Sequence, residues 1–92
     1  MAKVLIPVVF QGPTRGESEA IVDGASIADC FDLVEAQFPG LKELVIDPAT
    51  GEIHKFVKVT LNGELLDRDT STLAKSVSAT DEIEVIAAIA GG

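Results

Sequence analysis

The sequence predicts a two-layer α+β domain, and three observations carry that prediction. Residues 26–38 hold one amphipathic helical pattern, short stretches such as 56–61 and 82–86 alternate apolar and polar residues, and 92 residues leave room for only one core. One helix has one apolar stripe to bury, and about five short strands make one sheet with one face to cover it. Strand order does not follow from these patterns.

The first element is "KVLIPVVF", where Val4, Ile6, Val8 and Phe10 share one face and Leu5 and Val9 the other. That period of two predicts a strand largely buried on both sides. Pro7 conflicts with it, because proline removes a ladder donor, so the strand is expected to be irregular, bulged or edge-facing there. "QGPTRGE" is a loop by its Gly and Pro, and "SEAIVDG" reads as a short strand returning to form a hairpin. Ser26 and Asp29 form a capping pair, and "FPG" supplies the stop, which predicts a helix over about 26–38. Ile27, Cys30, Phe31, Val34 and Phe38 fall at spacings of three and four and form its buried stripe, with Asp29, Asp32 and Glu35 turned away.

"LKELVI" at 41–46 is too short to assign to strand or helix, and "DPATGE" at 47–52 is a turn. From Phe56 to Leu61 the alternation is strict, with Val57, Val59 and Leu61 on one face and Lys58 and Thr60 on the other. Asn62-Gly63 follows, a hairpin signal because a type I′ turn needs two residues tolerant of positive φ. Leu65 and Leu66 begin the partner strand, "TSTLAKSV" is expected to make one helical turn under Leu73, and "DEIEVIA" is a last strand with Ile83 and Val85 inward and Glu82 and Glu84 outward.

Fifteen acidic against seven basic residues give a net charge of −8, which repels phosphate backbones and anionic membrane surfaces and favours a protein partner with a basic face. Neither nucleic acid nor membrane is expected as a partner. A single cysteine allows no internal disulfide and no multi-cysteine metal site, so no metal is expected, and the fit is a reducing cytoplasm. The apolar run Val4–Phe10 is too short for a span and lacks a cleavage signal, so neither signal peptide nor membrane helix is expected.

The sequence closes on "IAAIAGG". Strand chemistry fades after Val85, which predicts a folded body over 1–86 and a flexible tail over 87–92. At roughly 7% glycine, a terminal Gly-Gly arises by chance in about one chain in two hundred. Such a tail suits threading into another protein's active site, since no Cβ hinders the approach and the terminal carbonyl is open on both faces. Its carboxylate is ionised near neutrality and a poor electrophile until activated, for example as an acyl-adenylate. The chain has neither GxxxxGK[ST] nor GxGxxG, so activation falls to a partner and the chain itself is a substrate, not an enzyme.

With its terminal "AGG", the "DEIEVI" strand entering that tail, the "VTLNGELL" hairpin and a single helix between two pairs of strands, the chain resembles the ThiS/MoaD family of sulfur carriers. That resemblance implies a ubiquitin-like β-grasp fold, a mixed sheet covered on one face by one main helix. "GEIHKFVKVTLNGE" and the long loop before it look most like the longer carriers that serve cysteine synthesis. The family often has proline where this chain has Ala87, and Gly-Asp where it has Ala79-Thr80. The implied cycle has an E1-like adenylating enzyme convert the Gly92 carboxylate to an acyl-adenylate with ATP, the chain binding no cofactor itself. A persulfide or sulfide donor then displaces AMP to leave a thiocarboxylate. An acceptor enzyme building cysteine, molybdopterin or thiamine thiazole takes the sulfur. Gly91, Ala90 and Ile89 would supply reach into the partner.

Cys30, on the buried stripe, reads as an inert small hydrophobe rather than a sulfur relay. His54 has no second ligand at metal spacing and reads as a solvated or loop-packing residue. Asp67-Arg68-Asp69 is an exposed charged turn by its composition. Glu82 and Glu84 flank the strand that delivers the tail and are candidates for meeting basic residues of a partner, against a merely soluble outer face. Phe56 and Ile86 are candidates for an apolar docking surface, against core packing. Two rival functions share these features: a ubiquitin-like modifier joined through Gly92 to lysines, and a plain β-grasp interaction domain.

Overall fold

In the computed structural model, which describes residues 1–87, the strands are β1 (Ala2–Leu5), β2 (Glu19–Val22), β3 (Val57–Leu61), β4 (Glu64–Leu65) and β5 (Glu82–Ala87). The helices are α1 (Ile27–Gln37) and the single turn α2 (Lys42–Val45), with 3-10 turns at Val8–Phe10 and Thr70–Ala74. The five strands of the described residues form one sheet in the order β2-β1-β5-β3-β4. β1 runs parallel to β5, and the remaining pairs are antiparallel. This is the expected two-layer mixed sheet with one main helix.

α1 forms because Ser26 Oγ accepts the Asp29 N–H at 3.1 Å, satisfying one of the donors a helix start leaves open. Asp29 answers by accepting from the Ala25 N–H at 3.3 Å. Ile27, Cys30, Phe31 and Val34 are fully buried against the inner face of the sheet, where Val4, Ala20, Val22, Val59, Ile83 and Val85 point. Full burial of each larger member contributes roughly 1.5–3 kcal/mol. Phe38, last of the stripe, is half-buried at the C-cap.

The first strand is shorter than its apolar pattern. It ends at Leu5, and Val8–Phe10 wind into a 3-10 turn that leaves Val8 82% and Val9 51% exposed. Pro7 is the cause: it has no N–H for the ladder, and its carbonyl turns to accept from Phe10 N at 2.9 Å. The expectation that Val8 and Val9 lie in a continuing strand buried on both sides is therefore corrected, while Phe10, off the strand, packs partly buried against the core. The hairpin with β2 survives, with Leu5 opposite Glu19 and Ala2 opposite Val22.

The stretch left open at 41–46 becomes α2 because Glu35 reaches across from α1. Its two carboxylate oxygens accept from Gly40 N and Lys42 N, each at 2.9 Å. Leu41, Val45, Ile46 and Ile53 then add to the core, and Asp47–Glu52 is the expected turn, with Gly51 N bonded to Asp47 O at 2.7 Å. The β3–β4 hairpin turns on Asn62 and Gly63, at φ 52 and 86, as a type I′ turn requires. Asn62 also holds β5: its N–H donates to Glu82 O at 2.8 Å, its Oδ1 accepts Glu82 N at 2.9 Å, and its Nδ2 donates to Asp81 Oδ1 at 2.9 Å.

β5 has Ile83 and Val85 buried and Glu82 and Glu84 exposed, as expected. It runs to Ala87, which pairs with Val57, so the boundary drawn before residue 87 falls one residue inside the strand. No helix among the described residues is long and apolar enough to cross a membrane.

Candidate functional site

β5 is the central strand, clamped by β1 on one side and β3 on the other, and it is the element from which residues 88–92 continue. Its outward residues are Glu82, Glu84 and Ile86. Glu82 lies opposite Lys3, Glu84 between Leu5 and Thr60, and Ile86 opposite Lys58. Lys3 takes its ion pair with Glu19 at 3.8 Å, so neither Glu82 nor Glu84 is in an ion pair among the described residues.

The end of β5 gathers apolar surface. Ile86 is 40% exposed, and Phe56, which precedes the Val57 partner of Ala87, is 64% exposed. On the opposite side of β5, a hollow of about 210 Å³ is lined by Leu5, Ile6, Pro7, Glu84, Val85, Ile86 and Ala87. The exposed Val8 and Val9 follow Pro7. The structure thus brings Phe56, Ile86 and Glu84 to one end of the sheet. Glu82 sits about 13 Å up the strand from Ile86, at the Asn62 end. Val8 and Val9 were missed because Val8 continues the alternation of Val4 and Ile6, and Val9 that of Leu5, in a run that reads as core; Pro7 is the signal that could have found them. Gly92, Gly91, Ala90 and Ile89 lie outside the described residues.

Other chemistry-bearing groups are committed to the fold. Cys30 is 0% exposed, and burial pushes its thiol pKa up. That makes it a poor thiolate and a poor relay. His54 Nε2 lies 2.8 Å from Glu43 O, and its backbone N–H donates to Val45 O. Arg68 Nε donates to Ile53 O at 2.8 Å and Asp69 Oδ1 accepts Ser71 N at 3.1 Å, so the exposed 67–69 turn anchors its neighbours. A second hollow, about 580 Å³, lies between α1, α2 and the 47–51 turn, rimmed by Asp32, Glu35, Glu43 and Asp47. Glu35 there is held below the usual carboxylate range by the Gly40 and Lys42 N–H groups, and Lys42 pairs with Asp32. A lowered carboxyl is unsuited to general acid work near neutrality. No cluster of three metal-ligating side chains occurs among the described residues.

The comparisons with known proteins agree with this geometry. A curated relative, the sulfur carrier protein CysO of Mycobacterium bovis, is 29% identical over 90 residues, covering 97% of this chain and 96% of its own; CysO of Mycobacterium tuberculosis matches equally. Among solved structures, the Amycolatopsis orientalis BexX/CysO complex matches at a TM-score of 0.87 and 28% identity, covering all of both chains. Mycobacterium tuberculosis CysO gives 0.86 and 26%, covering 97% of this chain and all of that one. SAMP1 of Haloferax volcanii, at 0.74 and 22% over 99% and 98%, shares the fold. The ThiS family model matches residues 10–92, from the turn that follows Pro7 through the terminal Gly-Gly, and the chain belongs to the ThiS family.

Proposed function

We propose that the chain is a cytoplasmic sulfur carrier whose working atom is the C-terminal carbonyl carbon of Gly92. The observation that carries the reading is the placement of β5: the central strand of the sheet leads directly into the Gly-Gly sequence, so a partner gripping the folded body also fixes where the tail begins. Family membership and full-length likeness to proteins named sulfur carriers support it.

In the proposed cycle an E1-like enzyme aligns the Gly92 carboxylate with ATP. A carboxylate oxygen bonds to the α-phosphorus and pyrophosphate leaves. Sulfide then attacks the acyl carbon, AMP departs with the C–O electron pair, and loss of the sulfhydryl proton leaves a thiocarboxylate. With a persulfide donor the first product is an acyl disulfide, and a second thiolate must break its S–S bond to give the same thiocarboxylate. The anionic sulfur is handed to an acceptor enzyme, and the likeness to the longer carriers favours one that makes cysteine over one that makes molybdopterin or thiamine thiazole.

The carrier is not an enzyme in this scheme. Ile89, Ala90 and Gly91 provide reach, while Phe56, Ile86 and Glu84, with Glu82 further up the strand, present the surface against which activating and accepting partners dock. A net charge of −8 favours partners with basic docking faces.

The test is intact mass after incubation with ATP, sulfide and a cognate E1-like enzyme. The expected outcome is one oxygen-for-sulfur exchange, confined to the C-terminal peptide and absent when Gly92 is deleted or one residue is appended. Conjugates to lysine that survive reducing gels, with no exchange, would instead make the chain a modifier. Unimpaired function of the extended chain would reduce it to an interaction domain.

A further inference from the structure

The larger hollow, about 580 Å³, is of the size that binding sites occupy, and the surface at the end of β5 leaves it unused. Its lining is mainly apolar, from Ala28 on α1, Ile46 and Pro48 after α2, and Leu73 on the second 3-10 turn. Four carboxylates surround that lining, and Lys42 is the one cation among the lining residues. The four are not equally available. Both oxygens of Glu35 accept backbone N–H groups, and Asp32 holds Lys42. Asp47 spends one oxygen on Ala49 N at 2.8 Å and keeps the other open. The exposed Glu43 side chain has no hydrogen bond or ion pair among the described residues, its backbone carbonyl alone meeting His54 Nε2.

An arginine fits both parts of this hollow. Its aliphatic stem lies along apolar surface, while the guanidinium offers five donors in a planar fork that matches carboxylates. The net charge of −8 draws a basic partner toward it. The hollow also opens on the helix layer. α1 turns Ile27, Phe31 and Val34 to the sheet and Ala28, Asp32 and Glu35 to the hollow, whereas Glu84 and Ile86 project from the other face of the sheet. A partner seated on the hollow therefore leaves that sheet face uncovered.

We propose that this hollow docks an arginine-bearing segment of the sulfur-accepting enzyme, with the guanidinium against Glu43 and Asp47 and apolar neighbours on Ile46 and Leu73. The inference rests on the reading that Gly92 carries sulfur from an activating to an accepting enzyme. Both enzymes have to reach the same tail, so a shared grip at the end of β5 admits only one of them at a time. A second grip on the opposite layer lets the acceptor take hold before the activator releases the carrier. It then keeps the tail at high local concentration beside its new site.

Glu43→Lys reverses the open carboxylate at an exposed position, and Ala28→Gln fills the lining without changing charge. Glu64→Lys, exposed on β4, makes the same change of net charge away from the hollow. Loading by the E1-like enzyme is followed by intact mass, binding to the acceptor enzyme by calorimetry, and the contact surface by amide shifts in NMR spectra. E43K and A28Q are each expected to weaken acceptor binding about tenfold more than they slow loading, with unfolding temperatures near wild type. E64K is expected to bind as wild type, and the acceptor to shift amides within 28–35 and 42–51. Wild-type acceptor affinity of both E43K and A28Q overturns the proposal, as does an equal loss in E43K and E64K, which would be an effect of net charge alone. Loading that falls as far as acceptor binding would seat the activating enzyme in the hollow instead. N-acetylarginine amide binding there as tightly as the enzyme would make a small cation the occupant. Failure of any E1-like enzyme to load sulfur onto the wild-type chain brings down the carrier reading and this inference with it, an outcome distinct from a loaded chain whose acceptor is indifferent to E43K.

Discussion

The Cys30 side chain lies so close to Gly24 that a Cβ at residue 24 would sit 2.7 Å from its sulfur and 2.8 Å from its backbone nitrogen. This contact, with full burial, explains why the chain's one thiol is structural in a protein proposed to carry sulfur. Cys30→Ser is expected to load sulfur on Gly92 as wild type does while losing about 1–3 kcal/mol of stability to the buried hydroxyl. Intact mass and thermal unfolding measured side by side check it; a folded C30S chain that no longer gains sulfur would return the thiol to the mechanism. His54 and Arg68 teach a similar lesson, since each spends a side-chain nitrogen on a backbone carbonyl.

At the scale of elements, local chemistry was readable wherever a side chain serves its own segment. The Ser26 cap, the Asn62-Gly63 turn and the alternation of β5 all act within a few residues, and the structure has each where the sequence put it. Ser26→Ala should cost about 1 kcal/mol, lowering the unfolding temperature by roughly 4–8 °C, with Ser26→Asp restoring most of it. Differential scanning calorimetry of the three proteins settles this, and an S26A midpoint equal to wild type would show that the cap contributes nothing. What could not be read was chemistry reaching between elements. Glu35 builds the start of α2 from a position on α1, and nothing near residue 41 announces it. Pro7 conflicts with a continuing strand in the sequence, but whether it bulges, kinks or ends that strand depends on which neighbour the strand has.

For the molecule as a whole, stability against pH follows from groups whose ionisation the fold biases. Glu35 is lowered by the Gly40 and Lys42 N–H groups, and Asp81 by the Ser78 backbone N–H and then the Asn62 side chain. A carboxyl lowered in the folded state stabilises fully above the ordinary carboxylate range, and that contribution is lost as pH falls through the folded value. The Cys30 thiol is raised by burial, so its contribution is present below the ordinary thiol range and lost as pH climbs past it. Urea midpoints are therefore expected to hold a plateau around neutrality and to fall between about pH 5 and 2 and again in alkali. Glu35→Gln should flatten the acid limb; an unchanged acid slope in that variant would remove Glu35 from the account.

The sequence by itself determined the layer architecture, the helix and its buried stripe, the two hairpins, the inward and outward residues of β5, and the Gly-Gly ending that directs attention to Gly92. Those features are periodic or local, and side-chain period and turn chemistry act over a few residues. Only the tertiary structure decided that β5 is the central strand, parallel to β1 and antiparallel to β3, because strand order is set by which long-range pairing best buries one helix stripe. The same pairing set Phe56, Ile86 and Glu84 at one end of the sheet, beside a hollow lined by Pro7, while Pro7, by ending β1, turned Val8 and Val9 outward. A proline's missing donor matters only where another strand is waiting for it, and that neighbour exists only in the folded chain.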